Sequence, residues 1–295
     1  MTVTDFASVT VAYGSADVIG DVVGSLVDLP GCAEVVVVDN GRDGSGSLAE
    51  ACGASVIRRP ENPGFGAAVN AAVAATTGAA VLVVNPDASI DSEGVAAGLA
   101  HLRAHPSVAM VQGIVRNRAT GEPERSMGDE LDARHLWGRA VGARRLLRTR
   151  VGRWLARAGG VGDHVERVPD GPRSVETLAA TAVLVRRTAF EQVGGFDAGY
   201  FLYGEDLDLC HRLRQAGWEL VALPVPWAEH DSGGSAESAW SRELDWWRGT
   251  MRFAARWWSP GALRLARGAA FVRWVRLAAR RPSSAKAAWH ALLKI

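Results

Sequence analysis

Residues 80–87 have the sequence AVLVVNPD, in which an unbroken apolar run leads directly into Asn85-Pro86-Asp87. A short apolar run bounded by turn-forming residues is typical of a strand that is buried on both faces. Such strands occur in mainly parallel sheets, because helices cover both faces of these sheets. The stretch therefore predicts an α/β fold with a mainly parallel sheet flanked by helices.

Strands and helices alternate on both sides of this stretch. Tyr13, Asp39 and Asn85-Pro86-Asp87 each follow the end of a predicted strand. Ligands of α/β proteins bind at the carboxyl ends of parallel strands, so we expect these residues to face one crevice. The predicted strands cover residues 8–13, 34–38, 55–57, 80–84, 175–185 and 218–223, and the predicted helices include 16–29, 64–77 and 205–215.

The regular pattern weakens from residue 116 to residue 173, where arginine, glycine and proline accumulate. We interpret this region as an insertion with one or two short helices. Residues 1–235 are assigned to one α/β domain that carries the insertion. Residues 236–295, rich in Trp and Arg, are assigned to a C-terminal helical region.

The composition excludes several classes of protein. The chain has 295 residues, of which 48% are hydrophobic and 22% charged, and it is long enough to bury a sizeable core. A formal net charge of +1 argues against a nucleic-acid partner. Three widely spaced cysteines without a CxxC pair suit a reducing compartment and give no support to a thiolate zinc site.

We expect a cytoplasmic protein that could also contact the inner face of the cell membrane. The N-terminus has no basic segment followed by an apolar run, and no apolar stretch approaches the ~20 residues of a membrane helix. Over residues 263–281, however, arginines flank an apolar stripe that also carries tryptophan. This basic, Trp-containing helix could lie on a membrane, or it could cover the sheet or form a dimer contact.

Two aspartates at strand ends are candidates for ligand binding. Asp87 could hold Mg²⁺ or Mn²⁺ together with phosphate oxygens, or its segment could be only a turn. Asp39 could accept a hydrogen bond from a ribose hydroxyl or a base N–H, or it could form a turn ahead of Asn40-Gly41. The residues alone leave both alternatives open.

Three carboxylates and one histidine further along the chain are candidates for catalysis or metal binding. Glu205, Asp206 and Asp208 begin a helix, where they could simply complement the helix dipole. The same positions aim carboxylates toward the crevice, as a general base requires, and Asp208 shares a helix face with Glu205. His230, in a loop predicted over 224–234, could be structural or could donate an imidazole nitrogen to a metal.

Taken together and in order, these segments resemble the family-2 glycosyltransferases of the GT-A fold, which is Rossmann-like. Within that family the chain is similar to rhamnosyltransferases that act on lipid-linked or cell-wall glycans. The resemblance spans roughly residues 8–255. It rests on VTVAY at 9–13, VVDN at 37–40, NPGFG at 62–66 with Asn70, NPD at 85–87, GGFD at 194–197, FLYGEDLDL at 201–209, and His230.

The resemblance implies catalytic, metal-binding and donor-binding roles for residues of this chain. Asp206 matches the general base, with Glu205 beside it and Asp208 in support. Asp87 and His230 match ligands of the implied cofactor, Mg²⁺ or Mn²⁺. The implied donor site consists of Ala12, Tyr13, Asp39, Asn62, Gly66, Asn70, Asn85 and Asp87, with Asp39 recognising the base.

The resemblance further implies transfer of a sugar, with inversion, from a dTDP- or UDP-sugar to a hydroxyl group. We expect L-rhamnose from dTDP-rhamnose, with other hexosyl or galactofuranosyl donors as the alternative. The implied acceptor is a glycan, a polyprenyl-linked saccharide or a small molecule. One departure concerns the acceptor side, because Thr177-Leu178-Ala179-Ala180 replaces a Trp-x-Ser-Gly-like stretch of many relatives.

Other functions are distinguished by specific features of the sequence. The spacing after Gly64-Phe65-Gly66 does not fit a dinucleotide fingerprint, which argues against an NAD enzyme. A sugar-nucleotide pyrophosphorylase would normally have a basic, glycine-rich loop after the first strand, whereas Gly14-Ser15-Ala16-Asp17 has no basic residue. A non-catalytic sugar-binding protein would be favoured if Asp206 and His230 lay far from Asp87.

Overall fold

A computed structural model describes residues 6–142, 169–231 and 239–280 of the chain. Much of the predicted insertion and the end of the C-terminal region lie outside the described residues. The first range contains β1 (Phe6–Ala12), α1 (Ile19–Val27), β2 (Cys32–Asp39), α2 (Ser45–Ala51), β3 (Ser55–Arg58), α3 (Phe65–Ala74), β4 (Ala80–Val84), β5 (Ala88–Ile90), α4 (Ser92–Ala104), β6 (Val108–Asn117), β7 (Met127–Gly128) and α5 (Ala133–Val141). The later ranges contain β8 (Arg173–Ser174), β9 (Thr177–Leu178), β10 (Ala182–Arg186), α6 (Arg187–Gln192), α7 (Glu205–Gln215), β11 (Glu219–His230), α8 (Ala239–Trp257) and α9 (Pro260–Arg280).

Most of the described strands form one sheet in the order β3-β2-β1-β4-β10-β6-β11-β5, with β8 paired to β11. The pairs β3–β2, β2–β1, β1–β4 and β6–β11 are parallel. Strand β10 runs antiparallel between β4 and β6, and β5 runs antiparallel to β11. The predicted α/β class with a mainly parallel sheet is confirmed, and the antiparallel strands are features that hydrophobic runs alone did not reveal.

Alternate residues of the central strand β4 enter different cores on the two faces of the sheet. Val83 packs with α3 and α7 on one face, and Leu82 packs with α1 and α4 on the other. All five residues of β4 are buried, as the apolar run predicts. Burying both faces fixes the strand, so the residues that follow it are held at the carboxyl edge of the sheet.

The strand predicted over residues 175–185 is interrupted, and this prediction is wrong. Residues 177–178 and 182–186 are strands, but the segment between them leaves the ladder. The buried Gln112 amide donates hydrogen bonds to the carbonyls of Ala179 (2.9 Å) and Ala182 (2.6 Å). These bonds hold the segment as a loop, which apolar composition cannot indicate.

The loop predicted over residues 224–234 is wrong up to His230, because β11 continues to that residue, and residues 232–234 lie outside the described part of the chain. The pairing of β11 with β6 shifts register between Ala222 and Pro226 and again between Pro226 and Ala228. Such shifts accommodate a proline, which has no N–H for the ladder, while the strand continues beyond it. His230 is therefore held by a strand.

The chain divides into two compact units. The first comprises Met1–Asp129 and Glu166–Ala239 and contains the sheet; the second comprises Glu130–Val165 and Trp240–Ile295. In the described part of the second unit, α5, α8 and α9 surround a core that includes Leu136, Trp247 and Trp274. None of the described helices is long and apolar enough to span a membrane.

Candidate active site

The ends of β1 and β2 form one side of the crevice. The backbone N–H of Asn40 donates to the Ala12 carbonyl (2.9 Å), which holds the two strand ends together. The Asp39 carboxylate accepts from the N–H groups of Gly41 (3.0 Å) and Gly46 (3.1 Å). Asp39 therefore stabilises the turn after β2, which was one of its two expected roles. Each of its carboxylate oxygens still has a lone pair that could accept a hydrogen bond from a ligand. Tyr13, directly after β1, is about half exposed beside this edge.

A second set of contacts holds the start of α3 against the loop that precedes α7. The Asn40 amide donates to the side chain of Asn62 (3.2 Å), and the Phe65 N–H donates to the Phe201 carbonyl (3.0 Å). Gly64 has φ +94°, and an added Cβ there would collide with the Phe201 backbone. Only glycine meets both demands without strain.

Asn70 and Gly66, both implied for donor binding, contact the turn at Phe196. The Asn70 side chain donates to the Phe196 carbonyl (2.8 Å) and accepts from its N–H (2.9 Å). A Cβ at Gly66 would lie 2.8 Å from the Cβ of Phe196. These two residues therefore position the loop that leads to α7, and their contact with donor remains a prediction.

Helix α7 begins with the two candidate catalytic carboxyls. Glu205 is only 5% exposed, and its Oε2 has no hydrogen-bond partner among the described residues. Asp206 is half-buried, and its Oδ1 accepts from the Leu207 N–H (2.8 Å). The two adjacent carboxyls therefore occupy different environments.

Burial changes the protonation of both groups. Burial, reinforced by the charge of Asp206, raises the pKa of Glu205 to about 8. Burial also raises the pKa of Asp206, although hydrogen bonds from the backbone of Leu207 and Ala180 act in the opposite direction. At neutral pH the carboxyl of Glu205 is therefore mostly neutral, and the pair does not carry two full negative charges.

Asp208 faces a basic partner on the same helix. It is fully buried and accepts a hydrogen bond from Arg212 Nε at 2.6 Å, one helical turn further on. Arg212 also donates to the Val193 carbonyl (2.6 Å), in the turn after α6. Asp208 thus holds Arg212, which ties α7 to the turn after α6. The supporting role predicted for Asp208 would therefore be to fix the position of α7.

Asp87 and His230, which are far apart in sequence, meet at the carboxyl edge of the sheet. The antiparallel pairing of β5 with β11 places His230 opposite Ala88. His230 Nε2 lies 3.2 Å from Asp87 Oδ1, and the Asp231 N–H donates to the Asp87 carbonyl (3.3 Å). A carboxylate and an imidazole form an O/N pair that suits a divalent cation when phosphate oxygens supply further ligands.

The other ring nitrogen of His230 contacts Glu124, a residue that sequence reasoning missed. Nδ1 lies 2.8 Å from Glu124 Oε2. Burial lowers the pKa of His230, but hydrogen bonds and charge from Asp87 and Glu124 outweigh it and raise the pKa to about 9.

Within the described ranges, no cluster of three or more His, Cys, Asp or Glu side chains has the geometry of a complete metal site.

A short loop connects the candidate base with the candidate metal ligands. The Asn85 N–H donates to the Thr181 carbonyl (2.7 Å), while the backbone of the preceding Ala180 hydrogen-bonds Asp206. Asp206 thus lies one loop away from the Asn85–Asp87 segment, and His230 contacts Asp87 directly. This proximity is what a catalytic site requires, and it disfavours the non-catalytic alternative.

The mainly parallel sheet, with carboxylates at its strand ends and at the start of α7, defines an α/β fold. Comparison with known sequences identifies the family. The profile of glycosyl transferase family 2 matches residues 8–160, and the profile of the N-terminal domain of galactosyltransferase matches residues 163–231. The chain belongs to glycosyl transferase family 2.

Two curated relatives match shorter segments. The N-acetylglucosaminyl-diphospho-decaprenol L-rhamnosyltransferase of Mycobacterium tuberculosis is 38% identical over 109 residues, which cover 31% of this chain and 35% of the relative. Rhamnosyltransferase WbbL of Escherichia coli is 41% identical over 83 residues, covering 28% of this chain and 31% of the relative. The matched segments thus span about a third of the length of each relative.

Solved structures of other glycosyltransferases share the fold. Glucosyl-3-phosphoglycerate synthase from Mycobacterium tuberculosis, in complex with Mg²⁺ and uridine diphosphate, superposes with a TM-score of 0.56 at 19% identity, covering 85% of this chain and 79% of that one. Mannosyltransferase PcManGT from Pyrobaculum calidifontis, in complex with GDP-Man and Mn²⁺, gives 0.55 at 17% identity, covering 98% and 79%. These similarities confirm the GT-A fold.

Proposed function

We propose that this chain transfers a sugar from a nucleoside-diphosphate sugar to a hydroxyl acceptor, with inversion at the anomeric carbon, and that the sugar is L-rhamnose. The contact between Asp87 and His230, one loop away from Asp206, carries the proposal. Asp87 and His230 could hold a cation that is bound to a diphosphate, and the nearby Asp206 carboxylate could accept a proton. The two relatives named as rhamnosyltransferases support the choice of sugar.

Asp87 and His230 would hold Mg²⁺ or Mn²⁺ against the diphosphate of the donor. When bound, the ion neutralises the negative charge that develops on the leaving nucleotide. Two solved structures that share the fold are complexes with Mg²⁺ or Mn²⁺, which supports this choice of cofactor. Asp39 and Tyr13, at the ends of β2 and β1, would bind the nucleoside, and the candidate nucleosides are thymidine and uridine.

Asp206 acts as the general base of the proposed reaction. It takes the proton of the acceptor hydroxyl while that oxygen attacks the anomeric carbon and the bond from this carbon to the diphosphate breaks. One displacement from the opposite face inverts the stereochemistry. A carboxylate whose pKa is raised by burial is a stronger proton acceptor than an ordinary aspartate, and the mostly neutral Glu205 beside it adds no second charge.

We further propose a polyprenyl-diphosphate-linked saccharide as the acceptor, reached from the cytoplasmic face of the membrane. The Mycobacterium relative is named for such a lipid-linked substrate. In the second unit, α9 exposes Arg264, Arg267, Phe271 and Val275 at helical spacing on one side. Apolar side chains flanked by arginine suit the interface of an anionic bilayer.

A donor screen tests the proposal. Purified protein is incubated with dTDP-rhamnose, UDP-glucose and UDP-galactofuranose, and nucleotide release is measured with Mg²⁺, Mn²⁺ or EDTA. We expect release from dTDP-rhamnose that EDTA abolishes and either metal restores, and weaker donor binding by Asp87→Ala. Full activity in EDTA would exclude metal dependence, and a preference for another donor would replace rhamnose by that sugar.

A further inference from the structure

Glu124 lies in a hairpin that follows β6, and several contacts fix its side chain. Its backbone N–H donates to the Val115 carbonyl (2.8 Å), and Asn117 Nδ2 donates to its Oε1 (3.2 Å). The Asn117 side chain also accepts from the Thr120 N–H (3.0 Å), which orders the turn of the hairpin. The Glu124 carboxylate is thus held through Oε1, the oxygen that does not contact His230.

Strand pairing brings this carboxylate to the imidazole. The parallel register of β11 with β6 places His230 opposite Asn117, the residue that also holds Glu124. Glu124 Oε2 then lies 2.8 Å from His230 Nδ1, and the two side chains are 15% and 13% exposed. The contact is largely shielded from water, so it constrains the ring more strongly than a surface pair would.

The two nitrogens of His230 have different neighbours. Nε2 faces Asp87 at 3.2 Å, while Nδ1 faces Glu124 at 2.8 Å. Because Nδ1 and Nε2 project from the ring in diverging directions, a single ion at Nε2 is out of reach of Glu124. A carboxylate that accepts from Nδ1–H keeps the proton on that nitrogen, so Nε2 is the nitrogen that loses its proton and offers a lone pair when a metal binds.

We propose that Glu124 is a positioning residue that fixes the ring orientation and tautomer of His230, so that Nε2 and Asp87 together bind the metal-bound diphosphate of the donor. This inference rests on the metal site of the proposed function. It assigns to the hairpin after β6 a part in donor binding that acts through His230. The ligand of the site is a divalent cation carrying a nucleoside diphosphate.

The test measures Mn²⁺ affinity without any sugar transfer. Free Mn²⁺ is followed by electron paramagnetic resonance while the full-length protein is titrated in the presence of thymidine diphosphate. Glu124→Gln keeps the size of the side chain but removes its charge, and we expect ~10-fold weaker Mn²⁺ binding or more. Glu122→Gln, the same change at an exposed position of the same hairpin, is the control and should bind Mn²⁺ as the wild type does.

A double-mutant cycle separates positioning of His230 from a general charge effect. If Glu124 acts through His230, Glu124→Ala should weaken Mn²⁺ binding in the wild type but cause no further loss in His230→Ala. Equal losses in both backgrounds would overturn the proposal, as would wild-type affinity in Glu124→Gln. Unchanged affinity in both Asp87→Ala and His230→Ala would instead reject the proposed metal site itself, and the role of Glu124 with it. Thermal unfolding of each variant verifies that it is folded.

Discussion

Glu205 and Asp206 are adjacent in sequence, yet the fold separates their environments. The Glu205 side chain lies in the interior beside Gly66, whereas the Asp206 carboxylate is half-buried and receives backbone hydrogen bonds. Adjacent acids in unlike surroundings are expected to differ in protonation, which allows one to accept a proton while the other stays neutral. Two substitutions that preserve shape distinguish their roles.

Asp206→Asn should reduce turnover ~100-fold or more, because asparagine cannot accept the proton of the acceptor hydroxyl. Donor affinity should change little, since the proposed contact of Asp206 is with the acceptor. Steady-state kinetics and donor binding by calorimetry provide the two measurements. Near-normal turnover of Asp206→Asn, together with loss of turnover in Glu205→Gln, would transfer the role of base to Glu205.

Glu205→Gln should change the pH dependence of stability. The folded state raises the pKa of Glu205 from 4.5 to about 8, so it binds more protons than the unfolded chain between these values. The contribution of Glu205 to the free energy of unfolding is then fully present at low pH and is lost as the pH rises through this window. Glutamine removes this contribution, and urea unfolding at pH 6 and pH 8.5 should show a smaller loss of stability in the variant. An equal loss in both proteins would show that Glu205 is already ionised at pH 6.

Helix α3 and the turn at Phe196 are joined by the side chain of Asn70, which acts as both donor and acceptor. Asn70→Ala leaves both backbone groups of Phe196 without this partner, and we expect a loss of about 1–3 kcal/mol in the free energy of unfolding. Asn70→Asp keeps the acceptor for the Phe196 N–H and should lose less. Urea denaturation measures both variants, and equal stability of Asn70→Ala and the wild type would show that the connection is not needed.

The elements that the sequence predicted well are those whose burial determines the pattern of residues. The apolar run 80–84 is a strand in the structure, and the helix predicted over 205–215 has these same bounds. The strands near Ala179 and Pro226 were predicted incorrectly, because their limits depend on a buried amide and on register shifts between distant strands. No local sequence pattern marks Glu124 as a residue of the site, because only the pairing of β11 with β6 brings it to His230.

Helix α9 has an inner and an outer side within the second unit. Trp274 is fully buried in the core with α5 and α8, while Phe271 and Val275 are exposed. Removing the helix would uncover this core, so deletion is a poor test of membrane contact. Substitution of the exposed residues leaves the inner side unchanged.

The double substitution Phe271→Ser/Val275→Ser should weaken binding to vesicles that contain phosphatidylglycerol, because it removes the apolar part of the proposed interface. The control is Val27→Ser, at an exposed apolar position in the first unit. Co-sedimentation at low salt measures binding, with neutral phosphatidylcholine vesicles for comparison. Wild-type protein that remains in the supernatant with anionic vesicles would exclude this surface as a membrane contact and favour a soluble acceptor.

The register at the end of β11 also has a genetic consequence. Side chains alternate along a strand, so loss of one residue exchanges the faces of all that follow. Deleting the single codon for Glu229 would leave Trp227 and Ala228 in the core but turn the imidazole outward and bring Asp231 opposite Ala88. This edge of the sheet would then hold the carboxylates of Asp87, Glu124 and Asp231 and no imidazole. Loss of one codon would thus change the ligands of the proposed metal site while the rest of the sheet keeps its fold.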